Sequence, residues 1–182
     1  MLRTRHILIC GERGAGKSTL IRSLLEVNKM PVCGFVTKKL EPGAMGVSPV
    51  CIFPAGAGSF TASAENTVGQ CDNRMRETHT EVFDTLGVRL LGNTDTDGIV
   101  IMDELGFLES GAERFKSRVL EILDSSTFVI AAVKAKSSPF LESVRERGTV
   151  FEITPENRAE LYAELAGIVR AWNGCGEEGT EL

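Results

Sequence analysis

The sequence has 182 residues, of which 42% are hydrophobic, and it carries a formal net charge of -5. This length and apolar content predict one globular domain over residues 1–173, followed by an acidic tail over residues 174–182 that we expect to be frayed. The net negative charge argues against a protein that binds nucleic acid polymers through a broad basic face.

The sequence also argues against a membrane or secreted protein. No apolar run approaches the length of a membrane span, and no secretory signal precedes the first predicted strand. The five cysteines are scattered and form no C-x-x-C pair, which indicates reduced thiols rather than a zinc site or a disulfide framework. We therefore expect a cytoplasmic protein without a membrane partner.

The first predicted element is a buried strand over residues 6–10, which leads into GERGAGKS at residues 11–18. This segment fits the P-loop pattern G-x-x-x-x-G-K-[ST], in which backbone amides cradle phosphate oxygens. Apolar residues at helical spacing predict a helix over residues 18–28, and a helix N-terminus favours an anion. The alternative is a glycine-rich turn that binds nothing, but the strand before and the helix after favour the P-loop.

The residue types of this segment predict particular roles. Lys17 would bring an ammonium to the β- and γ-phosphates and act in catalysis, and the Ser18 hydroxyl could ligate Mg²⁺. The predicted nucleotide-binding residues are Gly11, Glu12, Arg13, Gly14, Ala15, Gly16, Lys17, Ser18 and Thr19.

The next elements are less regular. A strand over residues 32–37 and a returning strand over residues 47–53 predict a β-hairpin after the second strand. Residues 54–70 are small and polar, which predicts a loop, either mobile or a plain surface connection. A helix capped by Asp72 or Asn73 is predicted to follow, with an apolar stripe between residues 75 and 90.

Residues 98–104, GIVIMDE, form the second informative stretch. Four successive apolar residues predict a strand buried on both faces of a parallel sheet, and its carboxyl end lies where open α/β folds bind ligands. Asp103 could therefore hold Mg²⁺, and Glu104 could deprotonate a water molecule for attack on a γ-phosphate. The alternative is two polar residues that close a strand, and the upstream P-loop argues against it.

The remaining elements continue the alternation of strand and helix. We predict a helix over residues 110–124, a strand over 127–133, a helix that opens at Ser138 and Pro139, and a strand over 149–153. A final helix is predicted to be capped by Thr154. This order predicts an α/β fold with a mostly parallel sheet and helices on both faces.

Four further polar positions are ambiguous. Lys134 and Lys136 follow a predicted strand, where they could reach phosphates or stay in solvent. Asn157 and Arg158 fall in the first predicted turn of the last helix, where P-loop folds often contact the base.

Several stretches together resemble the family of small P-loop nucleoside-triphosphatases that includes the cancer-related nucleoside-triphosphatase and the thermophile enzymes. They are GERGAGKS at residues 11–18, GFVT at 34–37, DELGFLE at 103–109 and TPENR at 154–158. The resemblance implies a three-layer P-loop NTPase fold and Mg²⁺-dependent hydrolysis of ATP, GTP and other nucleoside triphosphates. By the same resemblance Lys17 and Ser18 would hold phosphate and metal, Asp103 would serve the metal, and Glu104 would be the base.

One stretch departs from this family pattern. Family members usually carry an arginine-rich segment after the GFVT strand, whereas this chain has Lys38 and Lys39 there and no arginine over residues 23–73. The cation that stabilises the transition state is therefore not assigned by the resemblance.

Two other functions stay open at the level of sequence. A small-molecule or nucleotide kinase would share the scaffold, although the arginine-free stretch lacks the arginines of a typical lid. An ATP-dependent switch or adaptor protein would use the loop over residues 54–70 to bind a protein partner of unknown identity.

Overall fold

The computed structural model describes residues 6–43, 45–72, 74–92 and 98–175. The strands are β1 (His6–Gly11), β2 (Val32–Lys39), β3 (Ser48–Pro54), β4 (Thr67–Cys71), β5 (Met75–Thr78), β6 (Ile99–Leu105), β7 (Phe128–Lys134) and β8 (Gly148–Glu152). The helices are α1 (Lys17–Val27), α2 (Thr80–Val82), α3 (Val88–Leu91), α4 (Glu113–Asp124), α5 (Pro139–Arg145) and α6 (Arg158–Cys175), and a π-helical turn (Phe83–Gly87) joins α2 to α3.

All of these strands belong to one sheet, in the order β5-β4-β3-β2-β6-β7-β1-β8. Strands β2, β6, β7, β1 and β8 run parallel, so the carboxyl ends of β1, β6 and β7 meet at one edge. Strands β3, β4 and β5 extend the sheet from β2 as antiparallel neighbours. The predicted α/β architecture with a hairpin after the second strand is therefore confirmed.

Two hydrophobic cores lie on opposite faces of the sheet. Along β1, Ile7 and Ile9 pack against α1 and α6, whereas Leu8 packs on the opposite side with Phe115 of α4. Successive strand residues point to opposite faces, so a strand buried on both sides needs an unbroken apolar run. The result is three layers with helices on both faces of the sheet.

The region between β3 and α2 differs from the prediction. Residues 67–70, predicted as part of a loop, belong to β4, and residues 75–78, predicted as part of a helix, form β5. Asp72 therefore does not cap a helix, and Asn73, the other predicted cap, lies outside the described residues. Antiparallel pairing of Gly69 with Thr78 and of Gln70 with Glu77 overrides the local helical spacing.

The last helix also begins later than predicted. The Oδ1 atom of Asn157 accepts a hydrogen bond from the Thr154 amide at 2.8 Å, which folds residues 154–157 into a turn. The Leu161 amide then donates to the Asn157 carbonyl at 2.9 Å. Thr154 is therefore not the cap, and Pro155 lies in the turn before the helix. By contrast, the Ser138 side chain accepts from the Leu141 amide, so the predicted cap of α5 is confirmed.

Three expectations about membrane spans, cysteines and the C-terminal segment can be compared with the described part of the chain. No helix within the described ranges is both long and apolar enough to cross a membrane. Cys10, Cys51 and Cys71 are buried free thiols. Gly174 still belongs to α6, so the predicted tail begins inside a helix, and residues 176–182 lie outside the described part of the chain.

Candidate functional site

The P-loop wraps the amino end of α1. Gly16 precedes this helix at φ 107°, a left-handed backbone conformation that residues other than glycine rarely adopt. No side chain caps the first turn of α1. Gly11 leaves β1 so close to the last strand that a Cβ there would lie 2.5 Å from the Ile153 carbonyl oxygen. The first-turn amides of α1 therefore keep no side-chain partner and can donate to an anion.

Lys17 is held inside this loop. Its Nζ atom donates to the carbonyl oxygens of Gly11 at 2.8 Å and Glu12 at 3.1 Å, and only 7% of the residue is exposed. The same Nζ lies 3.5 Å from Oε2 of Glu104. The ammonium thus lies between the P-loop backbone and the end of β6.

Ser18 and Asp103 meet across the same gap. The Ser18 hydroxyl donates to Oδ1 of Asp103 at 2.9 Å. Asp103 is only 6% exposed, and burial raises its pKa to about 6, an effect that the Ser18 hydrogen bond opposes and the neighbouring Glu104 charge reinforces. An oxygen pair of this kind gains stability from a cation beside it.

Glu104 occupies an irregular position on its strand. Asp103 is in register with Ala132 and Leu105 with Val133, so Glu104 is the additional residue of a β-bulge, and its peptide bond with Asp103 is cis. Its side chain is 31% exposed, and its second oxygen, Oε1, lies 3.5 Å from Nζ of Lys134. Bulges redirect side chains, and here the carboxylate lies between two lysine ammoniums.

A cleft of about 820 Å³ joins these groups. Of the predicted nucleotide-binding residues, Gly11, Glu12, Arg13, Lys17 and Ser18 line it, together with Asp103 and Glu104. The other four, Gly14, Ala15, Gly16 and Thr19, lie on the loop or the first turn of α1 without lining the cleft. The cleft continues past Glu104 towards β2 and β4, where Thr37 and Cys71 line it.

Arg158 lies on the other side of the P-loop. Its Nε atom donates to the Ala15 carbonyl at 2.7 Å, and Nη2 donates to the Gly14 carbonyl at 3.2 Å. Asn157 bonds to the backbone at Thr154 and Glu152. Both side chains engage the protein's own backbone here, and contact with a nucleotide base stays a prediction.

Glu109 was not among the residues assigned a role from sequence. It is 1% exposed, and its carboxylate accepts a hydrogen bond from the Gly106 amide. Burial raises the pKa of Glu109, and the hydrogen bond and the nearby Lys134 charge oppose that rise. No local pattern predicts this contact, because folding back onto the local backbone is typical of Ser, Thr, Asn and Asp side chains rather than of Glu.

Comparison with known proteins places the chain in a family. A family model described as NTPase matches residues 6–166. The chain is 29% identical to nucleoside-triphosphatase THEP1 of Thermotoga maritima over 171 residues, covering 90% of this chain and 95% of that protein. It is 32% identical to the THEP1 protein of Methanothermobacter thermautotrophicus over 176 residues, covering 92% and 98%.

A solved structure agrees with this assignment. The solution structure of a human cancer-related nucleoside triphosphatase superposes with a TM-score of 0.67 at 25% identity, over 92% of this chain and 98% of that one. The resemblance inferred from the sequence motifs is therefore confirmed. The chain belongs to the NTPase family.

Proposed function

We propose that this protein hydrolyses nucleoside triphosphates to nucleoside diphosphates and phosphate in a Mg²⁺-dependent reaction. The observation that carries the proposal is the contact between Lys17 and Glu104, whose Nζ and Oε2 atoms lie 3.5 Å apart. It brings a phosphate-binding ammonium and a candidate base to the same point of one cleft. The names of the relatives, nucleoside-triphosphatases, support the same reaction.

The P-loop would hold the triphosphate. First-turn amides of α1 and the Lys17 ammonium supply donors and positive charge where phosphate oxygens would lie. The Arg158 guanidinium donates hydrogen bonds to the carbonyls of Ala15 and Gly14. These bonds would hold the shape of the loop and keep both carbonyls turned away from a bound anion. Positioning of this kind accounts for much of the catalysis of phosphoryl transfer.

Mg²⁺ fits the oxygen pair formed by Ser18 and Asp103. No cluster of three or more His, Cys, Asp or Glu side chains within the described residues could hold a metal ion by itself. Mg²⁺ rarely needs one, because it usually takes one or two protein oxygens and completes its shell with phosphate and water. When bound, the ion would neutralise charge on the β- and γ-phosphates.

Glu104 would act on the attacking water. Its carboxylate reaches into the cleft beside Lys17 while keeping 31% of its side chain exposed, so water can approach it. The water oxygen forms a bond to Pγ, and the bond from Pγ to the bridging oxygen breaks with its electron pair left on the diphosphate. The water proton passes to the Glu104 carboxylate.

One observation favours phosphotransfer as a second candidate. The cleft extends beyond Glu104 to Thr37, whose Oγ1 atom is buried without a hydrogen-bond partner in the described structure. An acceptor hydroxyl could replace water there. Diphosphate release that rises with an added alcohol, sugar or nucleoside, above the rate in water alone, would support a kinase over a hydrolase.

The proposal is tested by measuring phosphate release from ATP, GTP, CTP and UTP, each with Mg²⁺ and with EDTA. We expect release with Mg²⁺, loss of release in EDTA, and a decrease of at least about 100-fold in Lys17→Ala. The resemblance implies comparable rates for all four bases. Nucleotide binding without phosphate release from any of them would contradict hydrolysis and favour the switch or adaptor function.

A further inference from the structure

We propose that Lys134 is the second catalytic cation of this site and that Arg145 positions it. The proposal rests on the proposed hydrolysis and supplies the cation that the arginine-free stretch over residues 23–73 leaves unassigned. Lys134 would neutralise charge on the γ-phosphate as that group is transferred.

The sheet places Lys134 beside the P-loop. Strand β7 lies between β1 and β6, and Lys134 is its last residue. Its register partner on β1 is Gly11, the first residue of the P-loop, and the preceding Val133 is paired with Leu105 on β6. The backbone of Lys134 therefore lies between the phosphate-binding loop and the bulge that carries Glu104.

The side chain runs towards the reacting groups. Nζ of Lys134 lies 3.5 Å from Oε1 of Glu104, and Nζ of Lys17 lies 3.5 Å from Oε2, so each carboxylate oxygen faces one ammonium. The methylene chain of Lys134 packs directly against Gly106. A Cβ on residue 106 would lie 2.8 Å from Cδ and 3.0 Å from Cε of Lys134. A glycine at this position leaves the path to Glu104 open.

Arg145 holds the backbone from which this side chain departs. Its Nη2 atom donates to the carbonyl oxygen of Lys134 and lies 3.5 Å from that of Ala135 and 3.3 Å from that of Lys136. One guanidinium on α5 thus contacts three successive carbonyls at the end of β7 and just beyond it. This contact fixes the origin of the Lys134 side chain without reaching the cleft itself.

Other cations near the cleft lack the contact with Glu104, and the charge of Lys38 acts on Asp103, whose pKa it lowers. Nζ of Lys39 donates to the Asp72 carbonyl at 3.2 Å, and Nζ of Lys38 lies 4.5 Å from the centre of the Phe60 ring. Among the described residues, Lys17 and Lys134 are the cations that pair with Glu104. Lys136 lines the cleft two residues further along without such a pair. Lys29, which is exposed beyond the end of α1 and does not line the cleft, is the control.

The charge changes during hydrolysis explain why a lysine at this point would help. When water attacks Pγ, its proton neutralises the Glu104 carboxylate while the broken bond leaves negative charge on the phosphates. The attraction between Glu104 and Lys134 then weakens as that between the ammonium and the phosphates grows. A cation preorganised beside the base stabilises the charge where it develops.

The test compares Lys134→Ala, Lys134→Arg and the control Lys29→Ala in the full chain. We expect Lys134→Ala to lower kcat by at least about 100-fold. The Kd for a non-hydrolysable triphosphate analogue should rise by about tenfold, while the Kd for the diphosphate should stay nearly unchanged. Lys134→Arg should recover part of the loss, and Lys29→Ala should stay within about threefold of the wild type. Equal losses in the two alanine variants, or unchanged triphosphate affinity in Lys134→Ala, would overturn the proposal.

The two proposals fail in different ways. A wild type that releases no phosphate contradicts the proposed function, and the triphosphate-to-diphosphate affinity ratio still decides the role of Lys134. The positioning role is tested with Arg145→Ala, which should lower kcat by about tenfold at unchanged KM in the wild type. In the Lys134→Ala background the same change should cost less than about threefold, because the cation is already absent. Additive losses would show that Arg145 acts on something else.

Discussion

The Ser18 hydroxyl donates a 2.9 Å hydrogen bond to Oδ1 of Asp103, a residue 85 positions away in sequence. The contact joins the first turn of α1 to the end of β6 and brings a hydroxyl oxygen and a carboxylate oxygen together. Lys17, the residue before Ser18, forms a second contact between the same segments, with Glu104, the residue after Asp103. The P-loop and the acidic end of β6 therefore meet in one cleft.

Removing either oxygen ligand should weaken Mg²⁺ binding. We expect Ser18→Ala and Asp103→Asn each to raise the Mg²⁺ concentration for half-maximal phosphate release by about tenfold or more. The same shift should appear in the Mg²⁺ concentration at which a bound triphosphate analogue raises the melting temperature. Ser23→Ala, further along α1, is the control, and an unchanged Mg²⁺ midpoint in both variants would remove these two residues from the metal site.

Glu109 should support both the fold and the rate. Glu109→Ala leaves the buried Gly106 amide without its acceptor, so we expect the free energy of unfolding to fall by about 1–3 kcal/mol. Loosening Gly106 should also lower kcat. In Glu109→Gln the amide oxygen can still accept the bond, and stability should largely return. Urea unfolding and phosphate release measured on both variants check this, and equal destabilisation by Gln and Ala would contradict the hydrogen-bond account.

Gly106→Ala separates activity from stability. The new Cβ would meet the Lys134 stem at 2.8 Å, and a flexible side chain can move away at small cost to the fold. We therefore expect kcat to fall by about tenfold or more, with little change in the melting temperature. Gly167→Ala is the matched control, since its Cβ meets nothing within 4 Å. It should stabilise α6 by about 1 kcal/mol and leave the rate unchanged. Normal turnover in Gly106→Ala would argue that the path of Lys134 is unimportant.

His6 predicts a pH dependence of folding. It is 2% exposed, and its Nε2 atom contacts the Leu123 carbonyl at 2.9 Å. Burial lowers the pKa of His6 below 6.5, an effect that the hydrogen bond and Asp124 oppose. The unfolded chain therefore binds a proton first as pH falls, and the stability present above pH 6.5 is lost below it.

Replacing His6 with glutamine should remove this loss. Urea unfolding between pH 8 and pH 5.5 should show the free energy of unfolding falling more steeply in the wild type, by up to about 1.4 kcal/mol per pH unit. The comparison uses slopes, because the substitution itself can change stability at every pH. Parallel curves for the two proteins would show that His6 does not titrate differently on folding.

Local sequence patterns were enough to predict which residues meet at the centre of the candidate site. The strand, glycine-rich turn and helix around Lys17 are contiguous in sequence, and the apolar run that ends at Asp103 identifies its own strand. Both patterns predict that their polar residues lie at the carboxyl end of a strand. Their pairing then follows from the rule that parallel strands present their carboxyl ends together.

Other contacts depend on strand order, which no local pattern contains. Lys134 lies beside Glu104 and the P-loop because β7 is placed between β6 and β1. From the sequence it could equally have been a solvated loop lysine. Strands β4 and β5 were missed for a related reason, since short strands with glycine or charged residues form through pairing with a neighbour rather than through propensity.

The central claim is that Glu104 serves the chemical step and not the binding of nucleotide. The most direct measurement is a single-turnover experiment with excess Glu104→Gln protein and γ-labelled triphosphate, in which bound label and released phosphate are followed in the same sample. We predict triphosphate binding within about threefold of the wild type and phosphate release slower by about 100-fold or more, with Glu113→Gln on α4 unaffected. Phosphate release at the wild-type rate from Glu104→Gln would contradict the account.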